Sequence, residues 1–119
     1  MPNKDPLNVA AIQMDTKTGT ATSGAATANG TLCRITSEDL TTAAGAEYTL
    51  TLTNNVIKAD SVIFVSTHTG TSTQGTLATG EALPAAGQVT ITVSNTAASD
   101  ALNGTIVIDV LVLNPAGTQ

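Results

Sequence analysis

The feature that most constrains this chain is a series of short runs in which apolar residues alternate with threonine or other polar residues, punctuated by glycine, asparagine, aspartate and proline at roughly ten-residue intervals. Residues 47–53 (EYTLTLT) are the clearest case: Tyr48, Leu50 and Leu52 share one side, and Thr49, Thr51 and Thr53 share the other. A period of two with one oily and one hydroxylated side describes a strand with one face buried and one face wet. Residues 88–94 (QVTITVS) repeat the pattern with Val89, Ile91 and Val93 inward, and in residues 30–36 (GTLCRIT) Leu32, Arg34 and Thr36 alternate with Cys33 and Ile35. No stretch keeps helical apolar spacing long enough for crossover helices, so a parallel α/β sheet is excluded and an antiparallel β-sandwich, jelly-roll-like, is expected. Residues 41–46, 69–75, 84–87 and 95–104 supply its turns.

Two runs break the one-sided pattern. Residues 61–67 (SVIFVST) are continuously apolar at their centre, which fits a strand covered on both faces. In residues 105–113 (TIVIDVLVL), Ile106, Ile108, Val110 and Val112 form one face, while Val107, Leu111 and Leu113 form the other, interrupted by Asp109. β-Branched residues dominate and Pro115 ends the run, so it is a strand and not a helix. A chain of 119 residues holds one domain, whose second sheet covers only one of these faces. The other must meet an N-terminal arm or another subunit, which places Val107, Leu111 and Leu113 near a subunit interface.

The division expected is an N-terminal arm and flexible segment over 1–28 and the sandwich over 29–119. The arm carries Leu7, Val9 and Ile12, suited to pairing with a neighbouring chain, and residues 16–28 dissolve into threonine, alanine, serine and glycine. A first strand followed by a long loop of the same domain is the alternative reading.

Composition removes whole function classes. Threonine fills about a fifth of the chain, while charged residues make up 11% against the roughly 25% of ordinary soluble domains. The net charge is −5, and Lys4, Lys17, Arg34 and Lys58 stand singly. Such a chain offers phosphates no basic groove, and Tyr48 and Phe64, its only aromatic residues, make no stacking platform, so neither nucleic acid nor an anionic membrane is an expected partner. No apolar stretch approaches the ~20 residues of a membrane span, and the first residues lack the apolar core of a secretory signal, so the chain is expected to be made and kept in the cytosol.

Chemistry finds few candidates. His68 is the sole histidine and sits among hydroxyls without an orienting carboxylate nearby in sequence; a strand-end surface position accounts for it. Ser72 does not match a nucleophile elbow, which needs glycine two residues to either side of the serine. Cys33 beside Arg34 is the one conceivable thiolate nucleophile, although a lone strand cysteine is more simply a small buried hydrophobe, and it leaves no internal disulfide possible. One cysteine and one histidine do not make a zinc site, and Glu38–Asp39, the only adjacent acidic pair, reads as a solvated turn and not as a calcium loop. The glycine-rich loops lack the lysine and following helix of a phosphate cradle. Asn29–Thr31 and Asn103–Thr105 match the glycosylation sequon but serve as turns opening strands, and the threonine row of 49–53 is too short for an ice-binding array. No catalytic group, metal or cofactor is therefore expected.

Residues 40–113 carry a resemblance. LTTAAGAEYTLTLTNNVIKADSVIFVSTHTGTSTQG, followed by GQVTITVSNTAASDALNGTIVIDVLVLN, resembles a group of small β-sandwich modules among tailed-phage structural proteins. These share an LTTAAGATYTLTLTN-like strand, an SVVL-type strand with a Gly/Thr loop, a V-x-I-x-V-x-N strand and an ALNGT turn. The resemblance implies a virion component: a capsid decoration (cement) protein bound as a homotrimer to the major capsid protein on the outside of a phage head assembled in the host cytoplasm. On that reading Leu7, Val9 and Ile12 contact the shell. A tail-fibre or head-fibre module binding host-surface glycan through residues 69–75 is the alternative, and an enzyme using Cys33 is a third.

Overall fold

A computed structural model describes residues 14–116. The arm residues Leu7, Val9 and Ile12 lie outside the described residues. Among the described residues eight strands follow one another: β1 (Thr16–Thr20), β2 (Ala25–Thr27), β3 (Leu32–Thr36), β4 (Glu47–Thr53), β5 (Val62–Thr69), β6 (Leu77–Ala85), β7 (Gln88–Asn95) and β8 (Ile106–Leu113). They form two four-stranded sheets of order β1-β3-β8-β5 and β2-β4-β7-β6, packed in a sandwich-like arrangement. The fold is all-β, as the alternation requires.

The expected all-antiparallel pairing needs correction. β1 runs parallel to β3, with Thr16 opposite Leu32, and β2 runs parallel to β4, with Ala26 opposite Leu52. The other pairs are antiparallel. β1 and β2 also fall within residues 16–28, which read from sequence as a flexible tether. They are short of large side chains, but β3 and β4 each had an edge with free backbone groups, and the threonine- and alanine-rich segment satisfies both. A tight corner with positive φ at Ser23 and Gly24 passes the chain from one sheet to the other. A Cβ at Gly24 would stand 2.7 Å from the Thr49 carbonyl oxygen, so the corner needs glycine there.

Between the sheets lies a layer of aliphatic side chains. Ile35, Leu50, Leu52, Ile91, Ile106 and Ile108 are fully buried, and each comes from the inward parity of its strand. The two ends of the layer are closed by buried asparagines. At one end the Asn54 side chain accepts the Gly30 and Val56 amides at 3.2 and 3.0 Å and donates to the Gly30 carbonyl at 2.8 Å. At the other, Asn95 accepts the Thr76 and Ala97 amides at 3.0 and 3.2 Å and donates to the carbonyls of Thr42 and Asp100 at 3.1 and 2.8 Å. Each amide thus mimics missing backbone partners for loops that leave the ladders.

Removing either clamp strands buried backbone groups, a loss of about 1–3 kcal/mol per unsatisfied group. Asn54→Ala and Asn95→Ala are each expected to lower the denaturant midpoint of unfolding, whereas Thr51→Ala on the outer face of β4 should stay within about 0.5 kcal/mol of the parent.

Candidate functional site

Because strands alternate sides, each sheet has an outward face, and the two faces differ in kind. On the β2-β4-β7-β6 sheet Thr49 stands opposite Thr92 and Thr51 opposite Thr90, with Thr27 beside Thr53. The short threonine row of the sequence becomes a two-dimensional hydroxyl surface, interrupted by Leu83, which is exposed opposite Thr90. On the β1-β3-β8-β5 sheet the register sets Leu32, Leu111 and Phe64 in one line across three strands, and Leu113 and Val62 extend it. Phe64 is 54% exposed, Leu113 47% and Val62 46%.

The next line on this sheet is polar. Arg34 donates Nε and Nη2 to the two carboxylate oxygens of Asp109 at 2.8 and 3.0 Å, a fork-to-fork pair across β3 and β8. Thr18 and Ser66 flank it. The pair explains how Asp109 interrupts an apolar run without leaving a lone charge. Open hollows of about 190 and 380 Å³ lie beside it, the first lined by Leu32, Phe64, Ser66, Asp109 and Leu111, the second by Thr16, Thr18, Leu32, Arg34 and Asp109.

This face gathers the interface residues expected from sequence. Val107, Leu111 and Leu113 all lie on it, Leu113 most exposed. Phe64, Val62 and Leu32 join them, and sequence reasoning missed this. The run 61–67 read as a strand covered on both sides, but β5 is the outermost strand of its sheet, and its Val62, Phe64, Ser66 and His68 face outward in the single chain. The signal available was the contrast between Phe64 and the threonines that fill outward positions of β4.

The other candidates are separated or occupied. Cys33 is fully buried, its thiol within 3.5 Å of the Ala28 carbonyl and 3.4 Å of the Asn54 amide nitrogen, and burial pushes its pKa up. A thiol so placed is neither accessible nor ionised at neutral pH. Among the described residues, no three His, Cys, Asp or Glu side chains gather where they could hold a metal ion. The loop 69–75 is tied down by its own hydroxyls: Thr71 and Thr105 exchange amide-to-hydroxyl bonds of 2.9 Å, and Asn103 accepts the Thr73 amide at 2.7 Å while donating to the Thr73 hydroxyl at 2.9 Å. Ser72 is buried and bonded to Asn103. Gly104 of the Asn103–Thr105 triplet lets this loop close, since a Cβ there would meet the Thr71 hydroxyl at 2.5 Å. The groups that a glycan would need are largely spent within the protein.

Glu38 departs from its reading as part of a solvated turn. Its carboxylate accepts the Tyr48 hydroxyl at 2.7 Å and the Gly24 amide at 2.8 Å, joining the β1–β2 corner to β4. Burial pushes the Glu38 pKa up, but the hydrogen bonds from Tyr48 and from backbone amides outweigh it, and the net shift is downward. Tyr48 is shifted the opposite way, first by burial and then by the adjoining carboxylate.

Compared with protein-family models, with curated proteins and with solved structures, the chain matches none.

Two outcomes follow from this geometry. Cys33 should react with a thiol reagent only as fast as the protein opens, reaching full labelling in denaturant. For Glu38, a folded-state pKa below the ordinary 4.5 means that the folded chain binds fewer protons than the unfolded one in that range. Its contribution to stability is thus complete above pH 4.5 and is lost as the pH falls through the lower folded value. Glu38→Gln should flatten that part of a stability–pH curve.

Proposed function

We propose that this chain is a viral structural protein, a capsid decoration or cement protein that binds the major capsid protein on the outside of a phage head as a homotrimer, after assembly in the host cytoplasm. The observation that carries the reading is the apolar outer face of the β1-β3-β8-β5 sheet on a small acidic module. A surface of that kind suits a protein whose work is to be covered by others. The resemblance of residues 40–113 to tailed-phage modules supplies the viral context. A jelly-roll-like relation of the sheets belongs to the same reading and is supported by the path of the chain, in which every connection except β6–β7 crosses between sheets.

The mechanism is linkage. A protein that binds the assembled shell and not its dissociated subunits stabilises the shell in proportion to its occupancy, and several copies on one lattice bind more firmly than one. In this scheme Leu7, Val9 and Ile12 reach onto the shell from the segment preceding β1. The fibre alternative, with glycan held at residues 69–75, is less favoured because that loop's hydroxyls are engaged.

The test is co-sedimentation with undecorated phage shells of the full chain and of one lacking residues 1–14, a deletion that stops short of β1. Stoichiometric binding that weakens on truncation is expected. Absence of binding by the full chain would overturn the decoration role and favour the fibre module.

A further inference from the structure

We propose that the outer face of the β1-β3-β8-β5 sheet, centred on Leu32, Phe64, Leu111 and Leu113, is the surface on which a second copy of this chain packs. The inference rests on the reading of the chain as a subunit of an assembly and adds the surface through which copies meet. An internal comparison supports it. Both sheets have outward positions of the same parity, yet β4 and β7 fill theirs mainly with threonine, Leu83 of β6 being the exposed apolar exception, whereas β3, β8 and β5 line up Leu32, Leu111, Phe64, Leu113 and Val62 beside a polar line. Phe64, one of the chain's two aromatic residues, is among the most exposed of these side chains.

The charge distribution admits a second copy at this face and bars it at the acidic end. Two copies that each carry a net charge of −5 repel, so they can approach closely only where that charge is absent. The excess is distributed unevenly. Glu38, Asp39, Glu47 and Asp100 lie at the end of the sandwich where Asn95 joins the loops around residues 42, 76 and 100, an end with no described lysine or arginine. At the opposite end, where Asn54 joins residues 30 and 56, Lys17 and Lys58 balance Asp15 and Asp60. The apolar line Leu32–Leu111–Phe64, with Leu113 and Val62 beyond it, is on the side of the face toward that balanced end. Among the described residues, the only full charges on the face, Arg34 and Asp109, cancel in their paired fork. Burying a pair already joined by two hydrogen bonds leaves neither member without a partner.

Area sets the strength of the contact. Strands of five, five, eight and eight residues, at about 3.3 Å per residue and about 4.8 Å apart, make a face of roughly 400 Å². Two such faces together reach about 800 Å², the size of a weak, concentration-dependent contact and not of an obligate one.

The experiment is sedimentation velocity on the full chain over a range of concentrations, with Phe64→Glu, Leu113→Glu, Phe64→Ser and Thr51→Glu beside the parent. Circular dichroism and thermal melting confirm that each variant is folded. The parent is expected to self-associate, with the dissociation constant raised at least tenfold by both glutamates on the apolar face, raised less by Phe64→Ser, and changed less than twofold by Thr51→Glu, which adds the same charge to the hydroxyl face. A parent that stays monomeric at every concentration would overturn the proposal. So would an oligomer indifferent to Phe64 and Leu113, or a monomer that associates only when residues 1–13 are removed, which would make that segment the cover. Shell binding by a monomeric parent would sink this interface and leave the decoration role standing; an oligomer disrupted by Phe64→Glu that ignores shells would do the reverse.

Discussion

The aliphatic layer between the sheets has to exclude water along its length and still let the chain turn at both ends, and the rest of the structure follows from that requirement. Isoleucine, leucine and valine fill the layer in alternating positions, so the strands themselves carry their backbone groups in ladders. The difficulty falls where strands stop, because the amides and carbonyls of the departing loops remain close to the apolar interior. Asn54 and Asn95, both fully buried, meet it by offering two acceptor and two donor directions each. Glu38 does related work at the β1–β2 corner, joining the Gly24 amide to the Tyr48 hydroxyl.

With the interior settled in this way, the outward parity of each strand is free to vary, and it varies by sheet. Threonine on the β2-β4-β7-β6 sheet has good strand propensity and stays wet. The other sheet places large apolar side chains and one neutralised ion pair at the same kind of position. The interior demands neither choice, so the difference between the faces is a property of the surface and not of the core.

The parts legible in the sequence were those with strong alternation. Residues 47–53 and 88–94 fall on β4 and β7, and 105–113 on β8, with the inward residues as expected, because a period of two carried by β-branched and large apolar side chains has one low-energy solution. β1 and β2 were illegible because TKTGT and AAT contain no large apolar side chain to mark a buried side; parallel pairing to β3 and β4 holds them. β6 was hidden for a different reason. Its nine residues include Gly80 and Pro84 and a register shift between Thr79 and Ala82, all of which read locally as interruptions of a strand. Glu38 read as solvent-exposed because its partners, Gly24 and Tyr48, are distant in sequence.

The sequence by itself determined that the chain is all-β, which residues of its strongest strands face inward, and that β8 has a second, largely apolar side, since these depend only on side-chain parity and local turn chemistry. The tertiary structure alone decided which strands neighbour one another, and hence that Leu111 of that second side aligns with Leu32 and Phe64. Register is a relation between segments that lie far apart along the chain. Whether isolated apolar residues become a continuous face is therefore settled only when the sheet closes around its core.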